Sequence, residues 1–416
     1  MTATTVDVAT GCLLVDGTRI FPLGLSDPPP LGSTAPGGRD AWEEIASAGV
    51  RLIRNYTVWT EAAVDEQMIA VAQELDAAPQ HGLQLWLALA GADANLGQQA
   101  LLDRIVNTFK GHPGLGVWKG FDEPAHARVP ATGCVAVYHH LRSVDPDHPV
   151  VIVEAPRGPA PGPHAPDTPL TAAAVRPYAP ACDIHGVDIY PIPPGKHAGG
   201  PPVNTDLSVV GDMTRIIVSA TARKGIWTTL QIAWTGTEPP HPVVFPTLQQ
   251  ARFMAYDAIV AGARGLVFFG GRITSTLSPA DRRRGWNWTY WKNVQRPLLV
   301  ELTDAAHAPA LTAPLSAHQI RASAADIGLS AREAGGFLYL IAVRKSATST
   351  GTVRFTGLPC GIASGTVLAH GESNPAREIA VTGGAFTDPS PYAPHNARVY
   401  RFAVVGSGGA GVTGMG

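Results

Sequence analysis

Gly116-Val-Trp-Lys-Gly-Phe-Asp-Glu-Pro124 is the stretch that decides how this chain is read. Val117 to Phe121 is short and mostly apolar, the composition of a strand buried on both faces. It ends in two adjacent carboxylates, Asp122 and Glu123, and Pro124 then stops it because proline cannot donate to a ladder. Acids at the mouth of a buried strand carry a desolvation cost, so they persist where something uses them. Taken alone, the pair also suits a helix N-terminus, where carboxylates offset the macrodipole. The chain on either side decides between the two.

Outward from this strand, strand and helix signals alternate in a regular beat. Upstream, the pattern predicts strands over 20–26, 50–56 and 83–90, and helices over 41–49, 61–77 and 98–110. Downstream it predicts strands over 149–154, 182–190, 226–233 and 265–271, with helices over 135–144, 212–221 and 247–262. Eight strand runs alternating with helices mean a parallel sheet, and the count fits an α/β fold of the (β/α)8 TIM-barrel type over 20–305. No glycine fingerprint of the dinucleotide-binding kind follows any of the strands. Before the barrel, 1–19 reads as a hairpin turning at Asp16-Gly17. After it, runs over 336–343, 352–355, 365–368 and 397–404 predict a small C-terminal antiparallel β-sandwich over 314–405. The Gly-rich 406–416 is expected to be a disordered tail.

Composition agrees with a loop-rich globular protein. Of 416 residues, 45% are hydrophobic and 15% charged, and 45 Gly with 37 Pro imply many turns between short elements. A net charge of −2 argues against a nucleic-acid partner, which needs a clustered basic face. No apolar run is long enough for a membrane partner, and the first residues lack the pattern of a secretory leader. A cytoplasmic location is the default, and secretion applies if a leader has been removed. Cys12, Cys134, Cys182 and Cys360 are widely spaced and are expected to be buried free thiols, with no metal or other cofactor implied.

In a barrel, function sits at the C-terminal ends of the strands. Here those ends carry Asp27, Arg54-Asn55-Tyr56, Asp122-Glu123, Glu154, Asp188, Tyr190, Gln231, Trp234 and Phe268-Phe269. Carboxylates, amides and aromatic faces are what a sugar asks for: CH-rich faces stack on rings, and hydroxyls need polar partners. Trp59, Trp86, Trp118, Trp227, Trp234, Trp286 and Trp288 are available for stacking, and about half of them are expected to be core packing.

These residues resemble the large clan of (β/α)8 glycoside hydrolases that keeps an acid/base glutamate after strand four and a nucleophilic glutamate after strand seven. The clan's Asn-Glu-Pro is similar to Asp122-Glu123-Pro124, its strand-two arginine to Arg54, and its tyrosine beyond strand six to Tyr190. Its appended sandwich resembles the segments around 340–344 and 397–402, and the resemblance implies that the N-terminal hairpin packs with that sandwich. It also implies an oligosaccharide or glycoside substrate, with Arg54, Tyr56, Glu154, Tyr190, Trp59, Trp234 and Trp286 contacting it. The departure is Gln231, which stands where the strand-seven nucleophile belongs; a neutral amide forms no glycosyl ester.

Glu123 is therefore the candidate general acid, with its pKa raised by Asp122 next to it. Three readings follow for the missing second group. Asp122 orients an acetamido group of the substrate, as the adjacent Asp-Glu of β-N-acetylhexosaminidases does; or Asp188 or Glu154 activates water; or hydrolysis is lost and the chain only binds carbohydrate. Gln231 is expected to hydrogen-bond substrate or water.

Overall fold

In the computed structural model, the structure describes residues 3–93, 98–158, 168–193, 204–221, 224–233, 244–370 and 375–404. Trp234 and the tail at 406–416 lie outside the described residues. Eight parallel strands close into a barrel: β1 (Leu23–Leu25), β2 (Leu52–Arg54), β3 (Gln84–Ala88), β4 (Leu115–Asp122), β5 (Val150–Glu154), β6 (Ile184–Ile189), β7 (Gly225–Gln231) and β8 (Gly265–Phe269). Each pairs with its chain neighbours, and β8 returns to β1 through Leu266–Leu23 and Phe268–Leu25. Helices α1 (Ala41–Ser47), α2 (Val64–Ala77), α3 (Gln99–Phe109), α4 (Ala131–Val144), α5 (Ala172–Val175), α6 (Val209–Ala220) and α7 (Leu248–Ala261) alternate with the strands. Their ends follow local chemistry. Thr247 and Gln250 form a reciprocal capping box on α7, and Gly262 closes that helix at φ +119°, a conformation open to glycine.

Strand residues of period two fill the barrel. Leu52, Trp86, Val117, Val151, Val153, Ile184, Trp227 and Val267 point inward and pack together. Trp86 and Trp227 meet edge to face at 5.8 Å. A Cβ at Gly265 would stand 2.7 Å from the Trp227 ring, so this strand position stays small to admit the indole.

The N-terminal segment corrects the expected hairpin. Thr4–Val6, Leu13–Val15 and Thr18–Ile20 form a three-stranded sheet, turning at Asp16 (φ +47°) and Gly17 (φ +76°). Its Leu13 joins the inward-facing cluster, and Thr4 Oγ1 donates to the Gly116 carbonyl. Its apolar face therefore closes the floor of the barrel, where packing with the C-terminal domain was expected.

The sandwich has a three-stranded sheet, β9 (Arg321–Ala322), β12 (Gly351–Thr356) and β15 (Ala385–Tyr392). Its five-stranded partner orders β10 (Ile327–Ala334), β11 (Phe337–Arg344), β16 (Ala397–Ala403), β13 (Ser364–Val367) and β14 (Arg377–Ala380). Alternation along β11 explains how it joins the barrel. Leu338, Leu340 and Ala342 enter the sandwich core, whereas Tyr339, Ile341 and Val343 enter the barrel's outer core. Arg332, fully buried in β10, donates to the carbonyls of Ile259, Ala310 and Leu311 and so ties the sandwich to α7. Cys12, Cys134 and Cys182 are buried free thiols, but Cys360 is exposed in a sandwich turn.

Candidate active site

The strand that opened the reading reaches the barrel mouth as expected. Asp122 is the last residue of β4, and Glu123 follows it at φ +49°, with its N–H donating to Val153 O at 2.7 Å. A left-handed backbone costs a non-glycine residue roughly 1–2 kcal/mol, and such strain collects at functional positions. It turns the chain out of the ladder just where the two carboxylates meet the cavity.

That cavity, about 200 Å³, is lined by Arg54, Tyr56, Asp122, Glu123, Asp188 and Tyr190 from the sequence-derived set. Ser26, Trp86, Arg157, Thr229 and Phe269 complete most of its wall. Asp122 takes an ion pair from Lys119 Nζ at 2.9 Å and another from Arg54 Nη2 at 3.3 Å. Burial pulls its pKa upward, but the two cations outweigh burial and hold it at about 2. Lys119 is buried inside the barrel, where burial drives its pKa down against the pull of Asp122; it also donates to the carbonyls of Gly120 and Phe121. Asp122 is thus a fixed anion already matched by cations.

Glu123 and Asp188 behave differently. Burial raises the Glu123 pKa, and the Asp122 charge adds to it, against weaker opposition from His126, Arg157 and Lys119. Asp188 is raised well above the usual carboxylate range by burial, then by Glu123 and Asp122. Burial and like charge thus favour the protonated form of both groups. Asp188 faces inward two residues after Gly186, and Tyr190 follows on the same side. The Tyr190 ring stacks on Phe269 at 5.2 Å, and its hydroxyl is hydrogen-bonded to Asp188. Across the cavity, the Arg54 guanidinium lies 4.4 Å from the Tyr56 ring centre, and Ser26 Oγ and Tyr56 Oη are 2.8 Å apart.

Four site expectations are corrected. Gln231 is buried and engaged with the backbone: its Nε2 donates to Ile192 O at 2.7 Å, and its Oε1 accepts from Ile192 N at 2.9 Å. Both halves of the amide are used to hold the chain after β6, which leaves neither for a substrate. Glu154 is fully buried on the outer face of β5, behind the cavity wall, where it accepts from Ala125 N at 3.1 Å and faces His185 Nε2 at 3.1 Å. Trp59 is core: its indole donates to Ala88 O, and its ring packs near Phe109. Trp286 is core as well, donating to Asp27 O and clustering with Trp288 and Trp291. The Asp27 carboxylate accepts from Gly270 N and Arg272 N, so the end of β1 is laced to the loop after β8. Arg157, Ser26 and Thr229 were missed. Arg157 follows β5 and lines the cavity, and nothing in its sequence neighbourhood signals that contact.

Gln231→Glu is expected to create no activity. The new carboxylate keeps the acceptor for Ile192 N–H but confronts Ile192 O without a donor. A loss of roughly 1–3 kcal/mol in chemical denaturation is expected; an unchanged melt with new glycosidase activity overturns this account of the amide.

No family model and no curated protein matches the sequence. Among solved structures, a family 5 glycoside hydrolase from Bacteroides vulgatus ATCC 8482 is similar at TM-score 0.65 and 13% identity, over 97% of this chain and 92% of that one. A second structure, described as a glycoside hydrolase, is similar at TM-score 0.61 and 13% identity, over 97% of both chains. A family 30 endoxylanase from Clostridium papyrosolvens C71 gives 0.54 and 12%, over 97% of this chain and 100% of the other. At these identities the likeness establishes a shared fold: the chain is a (β/α)8 barrel with an appended β-sandwich, built on the architecture of these glycoside hydrolases. The three matches span nearly the whole chain, so the likeness includes the sandwich as well as the barrel.

Proposed function

We propose that the protein is a glycoside hydrolase in which Glu123 is the general acid and Asp188, on β6, replaces the absent strand-seven carboxylate. The observation that carries this reading is that Glu123 and Asp188, both with raised pKa, line one cavity walled by Tyr56, Trp86, Tyr190 and Phe269. An acid that keeps its proton near neutrality and a carboxylate that receives one are the two groups that hydrolysis of an acetal needs. Asp122, held by Lys119 and Arg54, keeps the charge that raises Glu123 constant as pH changes. Arg54 and Arg157 supply donors for sugar hydroxyls, and the aromatic rings supply faces for CH groups. The test is release of the aryl group from α- and β-linked aryl glycosides, acetamido sugars included. Turnover abolished by Asp188→Asn is expected. A wild type that binds oligosaccharide but cleaves none of the panel identifies a carbohydrate-binding protein and overturns this reading.

A further inference from the structure

Resting on the assignment of Glu123 as acid, we propose that the group attacking the anomeric carbon is the Tyr190 hydroxyl, with Asp188 as its base and Arg54 as its electrostatic support. The candidates facing the cavity are few. Gln231 is committed to Ile192, Glu154 is buried on the outer face of β5, and Asp122 is held by Lys119 and Arg54. Among the described residues lining the cavity, Asp188, Tyr190 and Tyr56 remain.

Asp188 is poorly placed to form a bond to carbon. Its Oδ1 is sealed from solvent without a hydrogen-bond partner, and the carboxylate is engaged by the Tyr190 hydroxyl. A carboxylate in that state can accept a proton along an existing hydrogen bond, while its unpartnered Oδ1 is closed off from solvent. Tyr190 has a base in hydrogen-bond contact and a ring that orients it; burial holds its own pKa well above the ordinary phenol value, so its activation depends on that base. Stacking on Phe269 at 5.2 Å fixes the ring, and Arg54 lines the same cavity. Tyr56 is weaker on the same criteria, because its hydroxyl is paired with Ser26 and has no carboxylate partner shown.

The reaction closes without any further reagent. In the first half the Tyr190 O–H proton moves to Asp188, Oη bonds to the anomeric carbon, and the bond to the leaving oxygen breaks as Glu123 protonates it. In the second half Glu123 takes a proton from water, the water oxygen bonds to the anomeric carbon, and the bond to Oη breaks. Asp188 then returns its proton to Tyr190. Two displacements at one carbon give net retention of configuration.

The experiment incubates the full chain with 2,4-dinitrophenyl 2-deoxy-2-fluoroglycosides and maps the modified peptide by mass spectrometry, while NMR records the first-formed anomer from an aryl glycoside. A glycosyl adduct on Tyr190 and a retained anomer are expected. Tyr190→Phe, which keeps the ring on Phe269, is expected to fold normally and to lose at least about 10³-fold in turnover. An adduct on Asp188, an inverted product, or a Tyr190→Phe rate within tenfold of wild type overturns the tyrosine while leaving the hydrolase reading intact. A wild type silent on every glycoside overturns both.

Discussion

Glu123→Gln is expected to lower turnover by about 10²–10⁴ on glycosides with poor leaving groups, and by much less on dinitrophenyl glycosides, which leave without a proton. That split distinguishes an acid from a residue that merely shapes the cavity. The amide preserves side-chain volume at a half-buried position, and the backbone N–H to Val153 is untouched, so the melt should stay nearly constant. Removing the Glu123 charge also removes the second cause, after burial, that raises Asp188, whose pKa should fall while staying above the ordinary carboxylate range. The pH–rate profile should therefore lose its alkaline limb, which reports deprotonation of the acid. Equal losses on both substrate types would assign Glu123 to binding.

Glu154→Ala is expected to destabilise the fold by about 3–5 kcal/mol, the range for breaking a buried charge pair from one side. His185 and Glu154 are both fully buried and lie 3.1 Å apart, out of contact with solvent. Burial pulls the His185 pKa down, but Cys182 and Glu154 outweigh it and raise it to about 9. The sign follows from that direction. The folded state holds the proton more tightly than the unfolded one, so this stabilisation is complete below the ordinary histidine pKa. It fades as pH rises through about 9. Urea midpoints of wild type should fall across that window, whereas those of Glu154→Ala should be flatter. A parallel decline in both proteins would show that the pair does not set the alkaline stability.

Much of the architecture was legible in the sequence because its signals are periodic. Alternating apolar runs and helices located all eight barrel strands, and Asp122-Glu123-Pro124 marked the mouth through the physics of strand termination. Asp188 and Tyr190 were legible too, since spacing by two places residues on one face. What failed was depth. Trp59, Trp286 and Glu154 have the right chemistry for a sugar site but lie in the core, and no periodic signal separates the wall of a cavity from the layer behind it. Gln231 failed for a related reason. Its strand position was right, but its partner is a backbone amide 39 residues away, a pairing made only by folding. The N-terminal sheet misled through its position in the chain: with Leu13 as an inward anchor, it serves the barrel it precedes.

That sheet has a consequence for traffic. Leu13, Trp86 and Trp227 pack together in the barrel interior, so among the described residues no passage leads down its axis. Whatever enters between Tyr56 and Tyr190 departs by the same doorway, so each departing fragment stands in the path of the next arrival. A hydrolase of the kind proposed above would work here as a queue rather than a conveyor, and a fragment that lingers against the aromatic wall would slow every molecule waiting behind it.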